Sequence, residues 1–413
     1  MNPLFLSLLL TLPVEPEVHL AIVGARVLPV SGPVIEGGTV IVRGEKIEAV
    51  GKDLPLPPGI EVVRAEGKWL TPGLIESHTQ LGTVEIATVP ETVDSGANFP
   101  ELFHAALRME DAINPRSSLV AVARRHGVTS AVVTPTGGFV AGRSAWFDLG
   151  APEDARALIR GPIAMYVSFG ETGAAAAGAS RAAAILRLSE ALDDARLYRK
   201  QGAAFEKNGL RKLAASRLDL EALLEVIDQK LPLVVEARRA SDIQAALRFA
   251  EREHLRLVLE GAEEGWLVKD ELAKAKVPVM LNPLSNLPGR IEQLGARPDN
   301  AALLAAAGVK LILTTDSSHN ASGLRFHLGN AVRAGLPHAA ALAAATQNPA
   351  EVFSPNTALG ALGKGRLANL VVWTGDPFEP ASFAELVLVH GKRQELETRQ
   401  TQLRQKYQAR LGL

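Results

Sequence analysis

Cysteine is absent from all 413 residues, so a disulfide framework, a thiolate metal site and a cysteine nucleophile are excluded. Charge of one sign is missing too. Lys+Arg 44 against Asp+Glu 45 leaves a formal net charge of −1, with no long run of either kind. A nucleic-acid footprint needs a basic patch, so a nucleic-acid partner is not expected. Long apolar runs are lacking as well. Residues 4–12 form an apolar stretch of nine, whereas a helix that crosses a bilayer needs about 20, so no membrane span is expected. That stretch has no basic segment before it, and no small-x-small cleavage site precedes Pro13, Glu15, Pro16 and Glu17. An export signal and a plain N-terminal extension both stay open for residues 1–18. The first implies a periplasmic or secreted protein, the second a cytoplasmic one.

What is present is a chain with 47% hydrophobic and 22% charged residues, enough to bury a large core. Residues 19–70 carry short Val- and Ile-rich runs broken by Gly and Pro, at 21–23, 25–28, 38–42 and 46–50, which read as antiparallel strands. A second set lies far away, at 368–373 and 386–392. These ends suggest one small β-sandwich domain built from residues 19–70 and 360–395. The middle, 71–359, alternates short apolar strands with Ala- and Leu-rich amphipathic helices, the rhythm of βαβ units around a buried parallel sheet. Strands are expected at 73–78, 128–134, 163–169, 233–236, 256–260, 277–281 and 309–314. That is one short of a closed barrel; residues 174–227 read as almost wholly helical and leave the fourth strand unidentified. Residues 396–413 read as a polar surface helix. The fold class is therefore α/β, a (β/α)₈ TIM-like barrel plus a small β-sandwich domain formed from both termini.

The segment Leu70-Thr71-Pro72-Gly73-Leu74-Ile75-Glu76-Ser77-His78-Thr79-Gln80 resembles the first-strand signature of the amidohydrolase superfamily, in which Pro-Gly-Leu-Ile-Asp precedes a His-x-His pair. Thr315-Asp316-Ser317-Ser318-His319-Asn320 is similar to its eighth-strand Thr-Asp motif, and Thr346-Gln347-Asn348-Pro349-Ala350 to its closing helix. The glycine-rich turn and return strand at 360–372 complete the order, nearest to the imidazolonepropionase-like branch. The resemblance implies a divalent metal at the barrel mouth and a small-molecule substrate attacked by activated water; zinc is the first guess, and an oxygen-rich ligand set adds manganese.

Carried over position by position, the resemblance makes His78 and Asp316 metal ligands, with Asp316 also the catalytic proton acceptor. The alternative for Asp316 is a cap on the following helix. Imidazoles at alternate positions on one strand point to one side, which suits a shared ion. Here Gln80 stands in place of the second histidine and brings only a neutral amide oxygen. Glu236 occupies the fifth-strand histidine position; it is taken as a third ligand, against a structural ion pair with Arg238 or Arg239. The sixth strand ends without histidine, in Glu260 and Glu263, and a two-metal centre is not expected. Gln80, Glu260, Asn282 and His319 are assigned to substrate. Glu85, Thr134, Thr136, Ser168, Glu171 and Asn286 sit at other strand ends, where active sites of this fold lie. His104, His126, His254, His327, His338 and His390 are read as packed or polar residues in helical or β-domain contexts. The stretch 136–143, rich in glycine but without the Lys-Ser/Thr pair of a phosphate loop, is read as the loop after strand two.

The leading expectation is a hydrolase of carbon–nitrogen bonds, in ring amides, N-acyl amino acids or small dipeptides, using one divalent metal. Against it stands a barrel paralogue that binds a ligand without metal, since fold does not guarantee chemistry. A metal-free hydrolase working through Glu236, Glu260 and Asp316 is the third reading. A homo-oligomer is left open.

Overall fold

The computed structural model describes residues 19–97, 101–154, 158–206, 211–354, 356 and 358–412. The apolar stretch 4–12, with the export-signal expectation attached to it, lies outside the described residues. Two eight-stranded sheets organise the chain. From the N-terminus come β1 (His19–Val27), β2 (Ile35–Arg43), β3 (Lys46–Lys52), β4 (Glu61–Arg64) and β5 (Trp69–Pro72). The barrel strands follow as β6 (Leu74–Thr79), β7 (Val128–Val133), β8 (Val140–Asp148), β9 (Ile159–Ser168), β10 (Leu233–Ala237), β11 (Leu257–Gly261), β12 (Val279–Leu281) and β13 (Leu311–Leu313). Last are β14 (Leu370–Trp373), β15 (Ala384–Val389) and β16 (Lys392–Arg393).

Strands from both ends of the sequence share the first sheet, in the order β16-β15-β14-β5-β1-β2-β3, with β4 on β1. The junction is β14, which runs antiparallel to β5 with Leu370 opposite Pro72 and Val372 opposite Leu70. Side chains on a strand alternate between faces. Leu370 and Val372 accordingly join an apolar cluster with Leu20, Ile22, Val40 and Leu388, while Val371 and Trp373 face the barrel's helices. Trp373 is wholly buried and its indole N–H donates to Thr71 Oγ1 at 2.9 Å. It presses on Gly127 so closely that a Cβ there would stand 2.1 Å from the ring. Gly127 also has φ +82°, a conformation that glycine tolerates best.

The second sheet is a nearly closed barrel in the order β6 to β13. Seven of its strands are parallel. The eighth is β8, which pairs antiparallel with both β7 and β9. Strand β9 lies directly against β10, with Leu233 opposite Met165, so no strand stands in the fourth position of the expected (β/α)₈ order. The helices Glu171–Ala176, Arg181–Glu206 and Arg217–Ile227 fill that part of the sequence. The missing stave is thus found between strands two and three, and part of the stretch read as a loop, from Val140 on, is strand. The reason is local. Gly137 (φ +83°) and Gly138 (φ +74°) turn the chain back within a few residues, and so short a connection permits only an antiparallel neighbour.

Inside the barrel the period of two again decides what meets what. Val132, Trp146, Tyr166, Val234, Val258, Met280 and Ile312 form the interior cluster. Two residues further along their strands, on the same inward side, stand Glu236, Glu260, Asn282 and Thr314. An apolar plug is capped by a polar layer at the C-terminal ends, where the fold places its chemistry.

Barrel and first sheet are also stitched by Asp148 at the end of β8. Its Oδ1 accepts from Ser130 Oγ at 2.6 Å and Trp146 Nε1 at 2.9 Å, and its Oδ2 lies 2.9 Å from His390 Nε2. Burial pushes the His390 imidazole down, but the hydrogen bond and charge of Asp148, helped by Glu45 and opposed by Arg160, raise it above its usual value. A folded pKa above the unfolded value of about 6.5 means stabilisation that is complete below that pH and fades as pH rises through the folded value. His390→Gln should therefore cost about 1–3 kcal/mol near pH 6 and clearly less near pH 9, read from urea midpoints at both pH values. An equal loss at the two would show that the pair's charge does not contribute.

Candidate functional site

His78 ends the inward face of β6, Glu260 does so on β11, and Asp316 follows β13 by three residues. The donor atoms of these three side chains lie within 4.8 Å of one another. His78 Nδ1 is 2.9 Å from Glu260 Oε1, and Nε2 is 3.6 Å from Asp316 Oδ1. His78 is buried in the barrel mouth and Glu260 is partly buried, whereas the Asp316 side chain is 46% exposed. Asp316 has φ +54°, an unusual conformation for a residue other than glycine, of the kind often stored at functional sites. It does not cap the next helix: Leu324–Arg333 begins at Gly323 without a side-chain cap.

The charges act on one another. Burial alone would push the His78 imidazole down, but the carboxylates of Glu260 and Asp316 outweigh it and bring it to about 9. Burial raises Glu260, against the pull of His78. Tyr166, raised by burial, meets the His78 ring edge-on at 5.7 Å between centroids.

Glu76, two residues before His78, is fully buried and takes four donors. Thr315 N–H and Oγ1–H reach its Oε2 at 3.1 and 2.8 Å, the His78 N–H reaches Oε1 at 3.2 Å, and the Thr314 hydroxyl also donates to Oε1. Burial still dominates and its carboxyl rises to about 7. This side chain crosses the seam between β6 and β13, the two ends of the barrel ladder. The Thr314 hydroxyl is also within 3.2 Å of His78 O, and Thr79 Oγ1–H donates to Ser317 O at 2.9 Å across the same seam. His327, outside the barrel, hydrogen-bonds the Thr314 backbone, while burial lowers its pKa.

The other residues singled out in the sequence take different places. Glu236 is not in the group of three; it accepts from Arg238 Nη2–H at 2.9 Å. Arg238 also donates to Glu263 and lies 3.4 Å from Glu292 Oε1. Glu292 in turn accepts from the Glu171 N–H at 2.8 Å and Arg181 Nη2–H at 3.2 Å. Gln80 turns aside to donate to Thr134 Oγ1 at 3.1 Å. Asn282 ties β12 to β13, giving its amide N–H to Thr315 O at 3.0 Å. His319 is exposed, its Nε2 3.1 Å from Glu85 O. His104 lies in a loop and not in a helix, buried against Gly138. Sequence reasoning gave Glu260 to substrate and overlooked Glu76 and Glu292. The inward period that places Val258 in the barrel also places Glu260, and could have found it. Glu292 carries no such signal, because it stands in a three-residue 3₁₀-helix, Ile291–Gln293, outside the strands.

Does this donor set suit a metal ion? One imidazole and two carboxylates are ordinary ligands for zinc or manganese. Two donors of one ion at about 2.0–2.2 Å are at most about 4.4 Å apart, close to the observed grouping. His78 Nδ1 is buried with only the Glu260 carboxylate beside it, at 2.9 Å, a pair of opposed donor atoms between which an ion can enter. A cavity of about 10 Å³, lined by Glu260, Asn282, Thr314 and Asp316, lies above, space for about one water. A larger cavity of about 850 Å³ opens at the opposite end of the strands, beside His254, Arg256 and Lys276. It is remote from the converging donors, and the small cavity marks the chemistry. The set fits.

The sequence model of the amidohydrolase family matches residues 69–394. A curated relative, amidohydrolase tasK of Hapsidospora irregularis, is 23% identical over 390 residues. That match covers 86% of this chain but 40% of the relative, so the chain spans well under half of that protein. Among solved structures, an amidohydrolase from Thermotoga maritima MSB8 is 26% identical with a TM-score of 0.81, covering 91% of this chain and 99% of that one. A molinate hydrolase aligns at 17% identity and TM-score 0.58, over 93% and 96% of the two chains. A prolidase complexed with N-methylphosphonate-L-proline does so at 17% and 0.55, over 92% and 100%. At that identity the last two share the fold.

Glu76→Ala should leave several buried donors without an acceptor and lower stability by at least about 2 kcal/mol, with Glu76→Gln milder. Urea unfolding of both variants checks this; an alanine variant as stable as wild type would mean that the seam does not depend on the carboxylate.

Proposed function

This chain belongs to the amidohydrolase family, and on that basis we propose that it hydrolyses a carbon–nitrogen bond outside ordinary peptides, with one divalent ion held by His78, Glu260 and Asp316. The observation that carries the reading is the convergence of these three side chains at the C-terminal mouth of the barrel. The ion would lower the pKa of a water toward neutrality and polarise the substrate carbonyl. Asp316, half-exposed beside His78, accepts the water's proton at a carboxylate oxygen and returns it to the leaving nitrogen. A C–O bond forms as the C–N bond breaks, and the proton ends on the amine. Glu76 holds His78 and the Thr314–Thr315 turn in place and takes no part in the proton transfer. Glu236 serves as the partner of Arg238, so the ligand set differs from the first sequence expectation. Zinc remains the first candidate; two carboxylates in three ligands also suit manganese.

Proximity to the imidazolonepropionase-like branch rests on the motifs at 70–80 and 346–372. The sheet shared by both ends is proposed to act as the composite β-domain of residues 19–70 and 360–395, supported by its own apolar cluster. The second functional reading, a barrel that binds its ligand without metal, is favoured by one feature. Both nitrogens of His78 face carboxylates, so a protonated His78 bridges Glu260 and Asp316 without an ion.

Metal analysis separates the two readings. Purified protein, or protein titrated with zinc or manganese, should hold about one ion per chain, and His78→Ala should lose both the ion and turnover of a panel of cyclic amides, N-acyl amino acids and dipeptides. Protein that takes up neither metal and is indifferent to His78→Ala would leave the hydrolase reading without its centre.

A further inference from the structure

The small cavity over the site is lined by three carboxylates, Glu260, Glu263 and Asp316, against one cation among the described residues, Arg238. Arg238 is already engaged by Glu236, Glu263 and Glu292. An anionic group on a ligand would find no free cation there.

Glu263 meets Arg238 through one of its two oxygens. It is 3% exposed, and its Oε1 accepts from Arg238 and from Gln293 Nε2–H at 2.9 Å. Its Oε2 is buried with no hydrogen-bond partner. A buried carboxylate oxygen left unsatisfied is costly, and in a site of low dielectric it attracts a donor, above all a charged one, strongly. The space beside it is kept by Gly261, at φ +87°, where an added Cβ would stand 3.1 Å from Oε2 and 3.2 Å from Arg238 Cγ. The cavity holds about one water, which is also the size of a protonated amino group.

We propose, resting on the hydrolase reading above, that Glu263 determines specificity, and that the substrate is an amide carrying a protonated amino group which donates to Glu263 Oε2. The scissile amide then lies toward His78 and Asp316, and the amine toward Arg238 and Glu263. With the ion in place Glu260 and Asp316 are compensated, and anionic amides are disfavoured on the Glu263 side, where Arg238 is occupied.

Leucinamide and 4-methylpentanamide differ in the amino group alone, and at pH 6.5 that amine, of ordinary pKa about 8, is protonated. Calorimetric titration of the metal-loaded protein should show leucinamide binding at least about tenfold tighter, and Glu263→Gln should bring the two within about twofold. The wild-type ratio needs no variant, so it stands even if Glu263→Gln folds poorly. Equal affinities in wild type, no binding of leucinamide, or a preference untouched by Glu263→Gln would each overturn the proposal. Hydrolysis is followed in parallel. A retained amine preference without turnover of any amide would count against the hydrolase reading and leave the amine site standing.

Discussion

The Glu76 carboxylate is the contact on which the rest of the site depends. A barrel closes only if its first and last strands are held together, and here the ladder stops at β6 and β13. Glu76 spans that gap with four donors, three of them from Thr314 and Thr315. The same side chain therefore sets the distance between His78, two residues on, and Asp316, the next residue after Thr315. A charged group in so dry a place would be unfavourable alone; four donors and a carboxyl lifted to about 7 make its burial tolerable. Seam and site are one arrangement, and a change in the first moves the ligands of the second.

Around this core the mouth is built from charge. Arg238 gathers Glu236, Glu263 and Glu292, and Arg181 links Glu292 to Asp242. Such a ladder fixes the loop after β12 against the strand ends, because each buried carboxylate needs its cation and would be strongly destabilising without it. It also explains why Glu236, at a position where the family resemblance expected a ligand, is not free to be one. The register of the parallel strands sets Glu236 beside Glu260, and the two neighbours divide the roles: one faces the guanidinium, the other the imidazole.

Much of this was legible in the sequence, and the illegible parts have physical reasons. Pro72-Gly73-Leu74-Ile75 announced the first barrel strand, and the Thr315-Asp316 pair the last, because both are short motifs whose backbone needs are met locally. Strand β8 was hidden because Gly137 and Gly138 have the composition of a loop, and a hairpin inserted in a parallel barrel breaks the βαβ rhythm by which strands were counted. Strands β4 and β5 escaped for a related reason, since each is a short run hemmed in by proline and glycine, at 57–59, 67 and 72–73. Glu260 was placed at the mouth but given to substrate; that it faces His78 follows from the curvature that brings β11 across to β6, which no local pattern encodes. Glu292 joins the charge ladder from a single 3₁₀ turn, too short for side-chain direction to show a period.

The claim that most needs testing is that His78, Glu260 and Asp316 share one ion. A crystal structure of the zinc- or manganese-loaded protein, with data collected on either side of the metal's absorption edge, tests it directly. The account predicts one anomalous peak at the C-terminal mouth, within about 2.0–2.2 Å of an imidazole nitrogen of His78 and of oxygens from Glu260 and Asp316. A peak elsewhere, or none with His78 still lodged between its two carboxylates, would contradict it.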